Sequence, residues 1–283
     1  MPEAQRPEAI GPRMIDGIVM IGGGIAAGLF GSLVGLGGGI LIVPLLTLVF
    51  DLPLLIAIGV SLVCVIVTSG AAAGVYLERR VANLRLGMTL ELFTAIGALG
   101  GATIAFLIPE RALAGLFGGL LVYVAVTMAR RREPEPEASP AATDDEPAPT
   151  TFAASLSGPG YLVRNLPLGT AGSVFAGVIS ALLGIGGGTV KVPVMHVLMG
   201  VPLRVATATS NLMIGITASS GAIVYLLRGG IDAYVAAPTA VGVFVGASLG
   251  SRIAHRIDLR LLRLLFVVVL IYTAWQMLQR AVA

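Results

Sequence analysis

Charge is scarce in this chain: 12% of its 283 residues are Asp, Glu, Lys or Arg, against 56% hydrophobic, and the mean hydropathy is +0.95. A water-facing globule carries about 25% charged residues, so that class is excluded. Lysine is almost missing, with Lys191 the single example. One cysteine, Cys64, leaves no intramolecular disulfide and no cysteine metal cluster, and inside its apolar run it reads as a small packing residue. His196 and His255 lack an HExxH or a second ligand at helical spacing, so neither a metal nor a cofactor is expected. Trp275, Tyr272, Tyr123, Tyr76 and Tyr225 fit interface anchors or packing. The net charge of +3 comes from arginines at the ends of apolar runs rather than from a basic stripe with interleaved aromatics, which argues against nucleic acid.

What is there instead is a set of apolar runs of about 20 residues, the length that crosses a hydrocarbon core of about 30 Å at 1.5 Å per residue. They are rich in Leu, Val, Ala and Gly, as helices are, and lack the alternation of barrel strands. The expected fold is an all-α polytopic membrane protein in a lipid bilayer. The first 13 residues are polar, and the run after them recurs at Gly169, which marks it as a structural segment rather than a cleaved signal peptide.

The sequence also repeats. GLGGGILIVP at Gly35 to Pro44 returns as GIGGGTVKVP at Gly184 to Pro193, an offset of 149 that also joins Pro53 with Pro202, Ser61 with Ser210, Gly97 with Gly246, Gly101 with Gly250 and Met128 with Met277. Duplication within one membrane domain is the economical reading. It divides the chain into a polar N-terminal tail (1–15), repeat 1 (16–132), a linker (133–165) and repeat 2 (166–283). The linker, with EPEPEASPAATDDEPAPT, is acidic, rich in Pro and Ala, and expected to be disordered.

Each repeat holds four apolar blocks: 16–50, 53–77, 87–107 and 112–129, then 168–200, 202–227, 233–254 and 261–279. That makes about eight spans, or ten helices if the long first block of each repeat is broken at its glycines. If each first block crosses twice, the halves are inverted and 12 arginines lie on the linker side against 5 opposite; if once, they are parallel and the split is 11 to 6. Both place the linker in the cytoplasm. The inverted arrangement is favoured, because the basic loop moves from the second-to-third connection (Arg79, Arg80, Arg85) to the third-to-fourth (Arg252 to Arg263) in the second half.

Candidate binding groups follow from the broken blocks. Gly37, Gly38 and Gly39, and Gly186, Gly187 and Gly188, can adopt backbone angles closed to other residues, and Pro44 and Pro193 withhold an amide proton, so helix breaks are expected there. A helix restarting inside a membrane presents free amides and the positive end of its dipole to an anion. For single glycines such as Gly97, close helix packing is the better reading. Lys191 lies within an apolar run, where a cation lines a polar path, snorkels to an interface or pairs with a carboxylate. Ser61, Ser210 and Asn211 are the preferred hydrogen-bond donors, with interhelical bonding as the alternative for each. Glu91 could carry a coupling proton, but its place near the start of its block puts it at the interface.

These motifs resemble the TauE/SafE family of sulfite and organosulfonate exporters. The resemblance spans nearly the whole chain outside the tail and linker, and rests on AGLFGSLVGLGGGILIVPLL, AGVISALLGIGGGTVKVPVM, the VATATSN stretch from Val205 to Asn211 and the paired glycines. It implies a secondary carrier of small sulfur-containing anions such as sulfite, a sulfonate or thiosulfate, with a proton or sodium ion as the coupling candidate and no set oligomeric state. A passive anion channel, a carrier of another small anion or neutral sulfur compound, and a membrane scaffold remain as alternatives. An intramembrane enzyme lacks its nucleophile motif, and no catalytic residue is expected.

Overall fold

The structure is a computed structural model that describes residues 14–34, 38–78, 82–130, 156–158, 161–253 and 259–282. The described residues form ten α-helices and no strand. They are α1 (Met14–Val34), α2 (Gly39–Leu48), α3 (Leu54–Glu78), α4 (Leu84–Ala105), α5 (Glu110–Arg130), α6 (Leu166–Leu183), α7 (Gly188–Pro193), α8 (Leu203–Leu227), α9 (Ala233–Ile253) and α10 (Leu259–Val282), with α7 running on into a π-helical turn at Val194–Leu198. Six of them, α4, α5, α6, α8, α9 and α10, are long and apolar enough to cross a membrane. Large apolar side chains such as Met88, Leu92, Phe175 and Val268 face outward, while Ala98, Ala102 and Ala181 are buried inside. That is the distribution of a helical bundle solvated by lipid, in which small residues let the backbones approach.

The first block of each half turns back on itself. After α1, Gly38 takes φ 71°, a left-handed conformation that costs glycine nothing, and caps α2. Gly38 lies beside Ala27 and Gly28, and Gly23 lies against Leu45, so α2 runs back along α1. In the second half Gly187 lies beside Ala176 and Ser180, Gly172 against Val194 and Gly169 against Met199, so α7 and its π turn run back along α6. With ten residues, α2 covers only about 15 Å, half a bilayer core.

Loop contacts define two ends of the bundle. At one, Arg280 pairs with Asp51 at 2.6 Å, the Leu54 amide donates to Glu110 Oε1 at 2.6 Å, and Gly59 packs on the Gly230 carbonyl. At the other, the Asn83 amide donates to Thr209 Oγ1 at 2.9 Å, its side chain donates to the Leu156 carbonyl at 2.7 Å, and the Arg164 amide donates to the Met199 carbonyl at 3.0 Å. Helix α3 therefore starts at the first end and α8 at the second.

Between the ends, bare glycines set the closest approaches. A Cβ on Gly97, Gly101 or Gly177 would strike the carbonyl of Val174, Val178 or Thr94, where α4 crosses α6. A Cβ on Gly246, Gly250 or Gly28 would strike the carbonyl of Ile25, Leu29 or Val243, where α9 crosses α1. Helices α5 and α10 pack antiparallel, Gly115 beside Ala281 and Gly118 beside Leu278.

Two sequence expectations are corrected here. Pro44 breaks no helix: it lies inside α2, and the interruption falls before Gly39. Pro193 ends α7 only in the sense that the hydrogen-bond pattern widens to a π turn after it, which accommodates the missing amide proton. Most of the 133–165 linker and of the 1–15 tail lies outside the described residues, as does Gly37. The linker's last stretch is packed rather than solvated, with Leu156 and Val163 buried in a small cluster with Leu86, Leu90, Met195 and Met199. The acidic composition ends before these apolar residues, so they have surface to bury.

Candidate functional site

The two chain breaks meet in the middle of the bundle. A Cβ on Gly39 would touch the Gly184 carbonyl and Ser61 Oγ, and one on Gly188 would lie 3.5 Å from Ser210 Oγ. Gly186 and Gly187 both take left-handed angles, φ 80° and 76°, to turn the chain from α6 into α7. Ser61, on α3, is fully buried and its hydroxyl faces two carbonyls, Gly184 at 2.7 Å and Gly39 at 3.1 Å. Its one proton is committed to the backbone and ties the two halves together.

Ser210, the residue 149 positions on, is different. Its hydroxyl is buried without a hydrogen-bond partner, and so is that of Ser180 on α6. A Cβ on Gly187 would lie 3.3 Å from Ser180 Oγ, so the two unpaired hydroxyls flank the Gly187–Gly188 turn. A buried hydroxyl without a partner costs about 1 to 3 kcal/mol, and such a pair is a candidate for donating to a bound group. Asn211 is half-buried, and its carbonyl accepts from Ser69 Oγ at 3.1 Å.

Lys191 stands one turn further along α7, 1% exposed. Its Nζ donates to Glu91 Oε2 at 2.9 Å and to Thr217 Oγ1 at 2.5 Å, while Thr217 donates to Glu91 Oε1 at 2.6 Å. Three helices thus supply a closed ring: Glu91 from α4, Lys191 from α7, Thr217 from α8. Glu91 is 4% exposed and Thr217 0%. The sequence placed Glu91 at an interface, but α4 packs against both α6 and α8, and the residue is buried between them with its carboxylate on Lys191 and Thr217. Of the three outcomes open to Lys191, this structure shows pairing with a carboxylate.

The ring was missed for a reason that can be named. Glu91 lies only four residues past the start of its block and so read as interfacial, which left Lys191, the one lysine, without a named carboxylate, although a lone buried charge demands an opposite partner. Thr217 and Ser180 carried no signal apart from other hydroxyls in the same runs.

Two open cavities lie at opposite ends of α5. One, of about 570 Å³, is lined by Thr47, Leu54, Glu110, Arg111, Met277 and Arg280. The other, of about 460 Å³, is lined by Thr127, Met128, Arg130, Thr189, His196 and Leu203. His196 Nδ1 lies 2.9 Å from the Val201 carbonyl, and no group of three metal-binding side chains occurs among the described residues. Beyond this cavity, at the same end of the bundle, burial pushes the Tyr161 phenol above its ordinary range. It is therefore a neutral acceptor for the Asn83 side chain, at 2.8 Å.

Comparison with known proteins adds sequence relatives. A family model described as "Sulfite exporter TauE/SafE" matches residues 20–277. The probable membrane transporter protein YunE of Bacillus subtilis (strain 168) is 26% identical over 94% of this chain and 98% of its own length. A probable membrane transporter protein of Xylella fastidiosa (strain 9a5c) is 29% identical over 92% and 95%. No solved structure is significantly similar to the chain.

Proposed function

The chain belongs to the TauE/SafE family and is a membrane transporter, not an enzyme, and from that premise we propose that it carries small sulfur-containing anions (sulfite, a sulfonate or thiosulfate) across the cell membrane by alternating access, at a site formed by the two glycine-broken segments. The observation that carries this reading is the pair of buried, unpartnered hydroxyls, Ser180 and Ser210, beside the Gly187–Gly188 turn, with the buried cation Lys191 on the same returning segment. Gly38, Gly39, Gly186, Gly187 and Gly188 let the backbone approach the anion, and Ser210, Lys191 and the nearby Asn211 complete its polar surround. Ser61 serves the site by holding Gly39 and Gly184 together. Gly37 belongs to the same motif, outside the described residues.

The mechanism follows from inverted halves, the arrangement in eight spans with two returning segments. Its support is that the glycine contacts exchange under the 149 offset: Gly97 on Val174 and Gly246 on Ile25, Gly101 on Val178 and Gly250 on Leu29, Gly177 on Thr94 and Gly28 on Val243. The two end cavities exchange likewise, Thr47 for His196, Leu54 for Leu203 and Met277 for Met128. Equivalent cavities on opposite faces are what rocking one half against the other would open alternately. The end with the linker then carries most of the arginines and faces the cytoplasm.

The test is uptake into proteoliposomes of labelled sulfite, sulfate, thiosulfate and a small sulfonate. Saturable flux of at least one, with accelerated exchange when the unlabelled anion is preloaded, is the expected result. Unsaturable flux without exchange would make the protein a channel, and no flux from folded protein would remove the anion assignment.

A further inference from the structure

The anion reading leaves the closed state of Lys191 unexplained. Among the described residues every polar contact of its ammonium is spent inside the ring, on Glu91 Oε2 and Thr217 Oγ1, and the ring is almost fully enclosed. An arriving anion therefore meets a lysine already neutralised. Resting on the transport reading, we propose that Glu91 is the coupling carboxylate: it occupies Lys191 when the site is empty, and a proton must add to it before an anion takes its place, so that one proton travels with each anion.

The charge balance gives the reason. Glu91 and Lys191 together are neutral, and a monovalent oxyanion entering beside them would leave one net negative charge in a low-dielectric interior, where an unpaired charge is costly. A proton taken from the aqueous side onto a Glu91 oxygen removes that charge. The carboxyl group is then neutral, the lysine pairs with the anion, and the loaded site is neutral again. On the far side the anion leaves, the proton leaves the carboxyl group, and the carboxylate returns to Lys191. Thr217 suits the exchange, because its hydroxyl accepts from Lys191 and donates to Glu91 in the empty ring, and can turn to the Met213 carbonyl, 3.2 Å away, when the carboxyl group is protonated.

Among the described residues, His196 on the turn after α7 faces the Val201 carbonyl rather than Glu91. Helix α6, packed against α4, has no ionisable residue along Leu166–Leu183. Helix α8 brings Thr217 to the carboxylate, and its own ionisable residues, Arg204 and Tyr225, lie near its two ends. Tyr161 reaches Asn83, at the cap of α4, rather than Glu91. Lys191 is the one charged group facing Glu91 among the described residues. The other half has no counterpart: at the 149 offset Glu91, Lys191 and Thr217 become Ala240, Ile42 and Thr68. One ionisable pair per molecule sets one proton per transport cycle.

The experiment measures anion and proton movement in the same proteoliposomes, with a labelled small sulfonate outside, monovalent at every pH used, and a trapped pH dye inside. Wild-type protein should acidify the lumen by one proton per anion, and an imposed proton gradient should drive anion accumulation of about tenfold per pH unit. The Glu91→Gln variant, whatever its rate, should move anion with no accompanying proton and no response to the gradient. If that variant does not fold, Glu91→Asp should keep the proton-to-anion ratio and shift the pH profile of uptake. Saturable net uptake of the anion by the wild type without lumen acidification would overturn the coupling and leave the carrier reading intact, as would a wild-type ratio in Glu91→Gln. Absence of exchange from folded wild-type protein would instead overturn the carrier reading and this inference with it.

Discussion

At the scale of single residues, the ion pair makes a prediction about stability that is independent of transport. Glu91 and Lys191 come from positions 100 apart and meet at 2.9 Å in a site closed to water. Removing one partner leaves the other as an uncompensated buried charge, a change that costs about 3 to 5 kcal/mol, whereas replacing both by uncharged groups is often close to neutral. Lys191→Met should therefore lower the thermal unfolding midpoint in detergent well below wild type, and Lys191→Met with Glu91→Gln should recover most of the loss. Equal midpoints for the single and double variants would mean that the pair is not closed in the folded protein. The sequence marked Lys191 as unusual, because a lone lysine in an apolar run needs no partner to be noticed. It could not choose among path, interface and pair, since the deciding group lies on another helix. The same holds for Ser61 and Ser210, alike by position, one bonded to two carbonyls and the other unpaired.

At the scale of elements, the glycines divide into two jobs that a sequence pattern lumps together. Gly38 and Gly187 turn the chain, while Gly97, Gly101 and Gly177 hold α4 on α6. A valine at Gly177 would place its Cβ on the Thr94 carbonyl, and such overpacking typically costs about 1 to 3 kcal/mol. Gly177→Val should lower the unfolding midpoint, while the same change at Gly119, where nothing lies within 4 Å of the added carbon, should leave it nearly unchanged. The α5–α10 contact offers a direct distance test. A Cβ on Gly115 would lie 3.4 Å from that of Ala281, close to the usual disulfide separation of about 3.8 Å. With Cys64 replaced by Ala, the Gly115→Cys and Ala281→Cys pair should crosslink on mild oxidation, seen as a mobility shift on gel electrophoresis that reductant reverses. The glycine runs made the breaks legible, because three consecutive glycines weaken any helix. Pro44 misled, because in the middle of α2 it removes one backbone hydrogen bond without ending a helix whose neighbouring residues are buried on nearly every side.

At the scale of the whole molecule, α2 runs back along α1 and α7 along α6, so α3 and α8 start at opposite ends of the bundle, with Arg280 of α10 at the end where α3 starts. Single cysteines placed at Ala129, at the linker end of α5, and at Leu52, in the loop before α3, should label with an impermeant thiol reagent from opposite sides, the first from the cytoplasm. Labelling of both from one side would rule out the returning segments. By itself the sequence determined the solvent, the helical class and the two interruptions, because these depend on composition and on neighbours within a few turns. Its repeat raised inversion as a preference, but arginines divided 12 to 5 or 11 to 6 could not decide it. Only the tertiary structure decided that Lys191 faces Glu91, that Ser180 and Ser210 remain unpaired while Ser61 does not, and that the two breaks meet. These are contacts between helices distant along the chain, and the free energy of a buried polar group is set by what stands opposite it, which no local pattern records.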